Sequence, residues 1–251
     1  MAQIFDDKDI AVLECLSSSS VALGSWNLVE LLEKRGIDVS SATIGRVLRR
    51  LENKHYVYKV GNTGRSISQQ GREALIEAKS LNIINEHQEA LKRVITVCTL
   101  ENYITVLQAR RAIERENARL AAINITDSEL THLHEVLRLQ DEYSQEGKSV
   151  AQIDIEFHKG IAHASRNQVL ESMYYMLFTY GQQTPLFEQI RKEKKSVMTA
   201  HVGILEALKD HNPQKAEQRM VRHIDGLIQD VITYWDQVEE QHDNIPSIDE
   251  K

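Results

Sequence analysis

The stretch Asp154-Ile155-Glu156-Phe157-His158 sets a carboxylate and an imidazole one helical turn apart inside an otherwise apolar helix face. Val150, Asp154, Phe157 and Ile161 share one helical stripe, so Asp154 stands where the period asks for a core side chain, with His158 beside it. A buried charge without a partner is costly enough to force pairing, a hydrogen-bonded network or a bound metal. The fold must therefore bring other polar groups to this point from distant parts of the chain.

Two histidines qualify. A helical stretch from about Lys195 to His211 breaks at Asn212-Pro213 and resumes to about Asp236, with Pro213 in the first turn, where its missing N–H is harmless. His201 and His223 each lie eleven residues from Asn212, and residues equidistant from the turn of an antiparallel helical hairpin lie side by side. Both sit in apolar stripes: Val197, His201, Ile204 and Leu208 on one helix, Met220, His223, Leu227 and Val231 on the other. Asp154, His158, His201 and His223 thus form a candidate metal site, whose imidazole and carboxylate ligands suit zinc first and nickel, manganese or iron as alternatives. For each histidine taken singly the alternative is a hydrogen-bonded core residue. His132, His134, His163 and His211 fall outside the stripes.

The run D-I-E-F-H-K-G-I-A-H-A-S-R-N-Q-V-L, followed by A-H-V-G-I-L-E-A-L and A-E-Q-R-M-V-R-H-I, resembles the ligand-binding FCD domain of FadR-type GntR transcriptional regulators, over about Glu101 to Trp235. The resemblance implies a divalent metal on Asp154, His158, His201 and His223 and a small carboxylic acid as effector. It also implies effector contacts from Arg110 and from Asn167. Arg110 shares a face with Val106, Ile113 and Leu120, so the residues alone leave a buried salt bridge to Glu114 as its other reading. N-capping of the helix that starts at Gln168 is the other reading for Asn167.

The 251-residue chain carries a net charge of −7, yet Ser40 to Arg72 holds seven basic residues against the single acid Glu52. A basic segment in an acidic protein is an electrostatic footprint for phosphates. Three helices (Asp9–Leu16, Ser25–Arg35, Ser40–Asn53) and a hairpin (Tyr56–Val60, Arg65–Ser68) predict a winged helix-turn-helix, whose third helix commonly enters the major groove of DNA. In that helix Ile44, Val47, Leu48 and Leu51 form an apolar face, and Arg46, Arg49, Arg50 and Asn53 a polar one. Ser40 is the predicted N-cap. Ser41 and Thr43 at the helix start, with Arg46, Arg49, Arg50 and the wing residue Arg65, are the candidate DNA contacts. A winged helix that docks proteins is the alternative. V-S-S-A-T-I-G-R-V-L-R-R-L-E resembles the GntR helix-turn-helix only in part, whereas K-V-G-N-T-G-R-S-I-S-Q-Q-G-R-E-A-L looks closer to winged helices of a different group.

The expected fold is mainly α: a winged helix-turn-helix over 1–72, a helical linker over 73–98 with its softest stretch at Ser80 to Glu86, and an antiparallel all-α bundle over 99–236. An acidic tail over 237–251 contains Pro246, lacks an apolar period and is predicted to be disordered. Cys15 and Cys98 lie in helical apolar patterns, in no C-x-x-C arrangement, and read as reduced core thiols. With no apolar span or leader segment, the expectation is a cytoplasmic homodimer on an operator in duplex DNA, a repressor with no catalytic residues. The competing classes are a metal-dependent hydrolase or lyase carrying a winged helix, and a sensor of the metal itself. The enzyme needs a general base near the metal, for which the inward stripes offer only Glu114 and Glu206.

Overall fold

The computed structural model describes residues 5–62, 64–97, 99–181 and 196–243. Cys98, the side chains of Tyr180 and Val197, and residues 244–251 of the expected tail lie outside them. The helices are α1 (Asp7–Ser18), α2 (Ser25–Glu33), α3 (Ser41–Asn53), α4 (Gln69–Thr96), α5 (Leu100–Asn124), α6 (Asp127–Gln145), α7 (Ala151–Ala164), α8 (Gln168–Gly181), α9 (Ser196–Lys209) and α10 (Pro213–Asp243). Between α3 and α4 the antiparallel strands β1 (Val57–Val60) and β2 (Gly64–Ile67) form the wing. The chain divides into two compact units, Met1–Ala90 and Leu91–Lys251. No break accompanies the division: α4 runs unbroken through the stretch predicted to be softest. Likewise α10 passes Asp236 and continues to Asp243, because Gln237 to Asp243 lack an apolar period but include no glycine or proline to stop a helix.

In the first unit each helix starts where its cap residue allows. Asp6 and Asp9 form a capping box on α1, and Ser40 accepts from the Thr43 amide at the start of α3. The apolar faces then close one core, with Leu13, Leu16, Leu28, Leu32, Ile44, Leu48 and Leu51 buried and Val57 and Ile67 of the wing beneath them. Leu23 exchanges two backbone hydrogen bonds of 3.0 Å with Arg65, so the segment before α2 adds an isolated bridge to the wing. Arg50 ties α3 to α1, reaching Asp6 at 2.7 Å and the buried Asp9 at 2.5 Å.

The second unit is a bundle of α5 to α10. Ala118, Ala121 and Ala122 of α5 are fully buried together with Met220, Ile224 and Val231 of α10, and the small side chains let the two long helices approach closely. The α9–α10 turn is built by three consecutive residues. His211 takes a positive φ of 46°, the Asn212 side chain accepts from the Lys215 amide, and Pro213 opens α10.

Two glycines of the first unit should separate on substitution. A Cβ on Gly71 would lie 2.1 Å from the Tyr56 carbonyl oxygen, a backbone atom that cannot step aside, whereas one on Gly45 meets nothing within 4 Å. Gly71→Ala is expected to destabilise by about 3 kcal/mol or more, and Gly45→Ala to be neutral or stabilising by up to about 1 kcal/mol. Thermal denaturation of both variants checks this; equal melting temperatures would mean that α4 is not seated against the wing as described.

Candidate functional site

Four polar side chains converge inside the second unit. Asp154 and His158 come from α7, His201 from α9 and His223 from α10, and all four are buried. His201 Nε2 lies 3.3 Å from His223 Nε2 and 3.4 Å from Asp154 Oδ1, and His158 Nε2 lies 3.9 Å from the same carboxylate oxygen. One ring nitrogen from each imidazole can be chosen so that all three fall within 4.8 Å of one another. Ligand atoms about 2.1 Å from a common ion stand roughly 3 to 3.5 Å apart, so this donor set needs only a small contraction to hold one. The His158 Nε2 atom is buried without a hydrogen-bond partner.

The far sides of two rings are fixed. Gln140 on α6 presents its amide oxygen 3.0 Å from His201 Nδ1, which must then carry the proton and leave the Nε2 lone pair facing the cluster. Glu114 on α5 lies 2.5 Å from His158 Nδ1 and does the same for that ring. Glu114 is held in turn by Arg110, whose Nε donates to it over 2.7 Å and whose guanidinium carbon sits 4.5 Å above the Phe178 ring of α8. Arg110 thus forms the buried salt bridge that the residues alone offered, and its Nη1 is buried without a hydrogen-bond partner. The general base an enzyme would need is not supplied by these carboxylates, since Glu114 is engaged on both oxygens and Glu206 is exposed.

The electrostatics follow from burial. Burial, reinforced by the neighbouring His201 and His158, lowers the His223 pKa well below the ordinary imidazole value, so this ring is neutral and offers a lone pair. Burial pushes the Glu114 carboxyl up, but the Arg110 guanidinium and His158 outweigh it and hold the group at about 2.

Sequence reasoning singled out the four converging side chains and Arg110 but missed Gln140. Its signal was the same as for Asp154, a polar residue in the stripe Leu133, Val136, Leu137 and Gln140. Asn167 caps α8, its side-chain oxygen accepting from the Val169 and Leu170 amides at 3.2 Å each. His132, His134, His163 and His211 are exposed.

In the first unit Arg46 and Arg49 lie exposed on α3, while Ser41 and Thr43 stand partly exposed at its start. Arg46 reaches the Thr43 hydroxyl at 3.3 Å, and Arg49 Nε donates to the Gly45 carbonyl. Arg50 and Arg65 are differently employed. The former clamps Asp6 and Asp9, and the latter pairs with Glu52 at 2.8 Å. The periodicity placed Arg50 on the polar face of α3, but acids more than forty residues away in the chain decide what its guanidinium does.

Acid should expose the dependence on Glu114. Its folded pKa lies below the ordinary 4.5, so its contribution to stability is complete above about 4.5 and is lost as the pH falls toward 2. In chelator-treated protein, Glu114→Gln is expected to be less stable at neutral pH and to flatten the loss of stability across that window. Denaturant titrations at several pH values read this, and an unchanged slope would assign the acid sensitivity to other groups.

Residues 105–226, which contain Arg110 and all four converging side chains, match the FCD domain family. Residues 10–75 match the Ribonuclease R winged-helix domain, in keeping with the wing's resemblance to a different group. Among curated proteins the chain is similar to the Uxu operon transcriptional regulator of Escherichia coli (strain K12), 24% identical over 147 residues that make up 55% of this chain and 57% of that one. It is also similar to the uncharacterized HTH-type transcriptional regulator YcbG of Bacillus subtilis (strain 168), 28% identical over 133 residues, 52% of this chain and 55% of that one. The chain spans about half the length of the curated relatives it matches. Of the solved structures, E. coli McbR/YncC aligns over 91% of this chain and 95% of its own at 16% identity and a TM-score of 0.46. Along the chain, a segment similar to the FCD domain family thus follows a winged helix.

Proposed function

We propose that the protein is a DNA-binding transcriptional repressor whose FCD domain holds a divalent metal and senses a small carboxylate. The observation that carries the reading is the convergence of Asp154, His158, His201 and His223, with the far nitrogens of His158 and His201 fixed by Glu114 and Gln140. Three imidazoles and one carboxylate suit zinc, with nickel, manganese or iron as alternatives, and leave positions for an acid's oxygens. Arg110 Nη1, buried and without a partner, is a donor for that acid.

Arg46 and Arg49, with Ser41 and Thr43, form the proposed face toward duplex DNA, and Arg50 contributes by holding α3 in place. A homodimer is the proposed DNA-binding form, since paired half-sites need two reading helices. The exposed apolar face of α4, with Ile76, Ile83, Ile84 and Val94, supports pairing with a second copy along that helix. Among the described residues no helix is long and apolar enough to cross a membrane, and we place the protein in the cytoplasm.

Two experiments test the reading. Purified protein analysed for metals is expected to carry one divalent ion per chain, and a chelator to lower its melting temperature. His201→Ala should abolish metal binding, since it removes one ligand and leaves Gln140 and Asp154 under-paired. Metal-free protein whose stability is unchanged on adding zinc, nickel or manganese would overturn the metal site. Separately, Arg46→Ala combined with Arg49→Ala should lower affinity for operator DNA by at least tenfold and reduce its salt dependence without changing the melting temperature. Arg50→Ala should instead destabilise the first unit. Intact DNA binding by the double variant would move the interface off α3.

A further inference from the structure

Helix α3 carries a glycine that its own fold does not require. A Cβ on Gly71 would strike backbone and Gly36 has a φ of 77°, but Gly45 lies in regular helix, and a Cβ there would meet nothing within 4 Å. A glycine inside a helix costs stability relative to alanine, so an unobstructed and unstrained one points to something outside the folded chain. Its neighbours fix where the gap opens. Ser41, Gly45 and Arg49 follow one another at single-turn spacing, and Glu52, a turn beyond Arg49, continues the row. Glu52 holds Arg65 of β2 at 2.8 Å, so this row is the flank of α3 that looks toward the wing. The opposite flank carries Arg50, bound to Asp6 and Asp9 at the start of α1. The missing side chain of Gly45 therefore leaves a notch on the wing side of α3, bordered by the exposed Arg49.

The chemistry around the notch suits an anion. Arg49 Nε reaches across it to the Gly45 carbonyl at 3.3 Å. That oxygen already accepts the Arg49 amide within the helix, so the guanidinium makes a second, long contact to a neutral acceptor. A charged oxygen would hold it more strongly. The carboxylate of the row, Glu52, is neutralised by Arg65 and repels an incoming anion little. When a helix lies in the major groove and its wing reaches the adjoining minor groove, the sugar–phosphate backbone of one strand runs between the two. A strand in that position can approach the main chain of α3 at Gly45, where any larger residue would hold it off.

We infer that the notch at Gly45 is a phosphate seat: the backbone of one DNA strand passes between α3 and the wing against Gly45, and Arg49 leaves the Gly45 carbonyl to bind its phosphate. This rests on the proposal that α3 faces duplex DNA. Gly45 acts by the room it leaves and Arg49 by its charge, so the seat contributes to affinity for a duplex of any sequence.

The test is fluorescence anisotropy of a labelled duplex of arbitrary sequence, titrated with the full-length protein at a series of salt concentrations. Gly45→Ala is expected to lower affinity at least threefold and Gly45→Met at least tenfold, because the loss should grow with the volume placed in the notch. In Gly45→Met the slope of log affinity against log salt should also shrink by about one phosphate contact, the change that Arg49→Ala alone should give. Both glycine variants should melt at or above the parent, since alanine and methionine form helix better than glycine and nothing fills the notch in the free protein. Parent-like affinity in Gly45→Met, a loss with an unchanged salt slope, or a loss accompanied by a lower melting temperature would overturn the inference. Arg46→Ala combined with Arg49→Ala separates this failure from the larger one. If that double variant loses affinity while Gly45→Met does not, the DNA reading stands and the seat falls; if the double variant binds the duplex like the parent, both fall.

Discussion

The second unit is organised by the burial of one ion pair. Arg110 and Glu114 are both almost inaccessible to water, and an ion pair taken out of solvent is stable only when its remaining hydrogen-bonding capacity is met. Glu114 meets part of its own through His158, which orients that ring, and His158 in turn points its other nitrogen at a site shared with two more helices. Apolar packing surrounds this polar level. The alanine-lined α5–α10 contact on one side and the Tyr174–Phe178 cluster on the other set how closely the helices approach. The arrangement trades uniform hydrophobic packing for a fixed geometry at one depth in the bundle.

The first unit uses charge differently. Its basic residues divide into those that hold the fold and those that face solvent, and the division follows from which acids are within reach. Arg50 and Arg65 are consumed by Asp6, Asp9 and Glu52, so the wing and α3 keep their positions relative to α1. Among the described residues Arg46 and Arg49 hydrogen-bond within α3, to Thr43 and Gly45, and these are contacts that a stronger acceptor such as a phosphate can displace. A local net charge read along the chain therefore overstates what is available to a partner.

Much of this was legible in the sequence, and the limits were physical. Helical period exposed Asp154, His158, His201 and His223, because a charge or imidazole in an apolar stripe violates the period. The Asn212-Pro213 break gave the hairpin register that sets two histidines side by side. Gln140, Asn117 and Tyr174 were harder, since a single amide or phenol in a stripe is common in cores and becomes informative only once its partners, or their absence, are known. The pairing of Arg50 with Asp6 and Asp9 joins residues more than forty positions apart, and no local pattern encodes it. The end of α10 was misjudged for the opposite reason: apolar periodicity fades before helix propensity does.

Arg110 and Glu114 are a single turn apart on one helix, so their pairing needs only α5 to form, whereas the imidazole nearest to them in sequence arrives from α7 and the others from beyond it. Contacts that close short loops form before those that close long ones. The ion pair can thus be assembled while α5 is still wet, and the later helices bury a dipole rather than two separate charges.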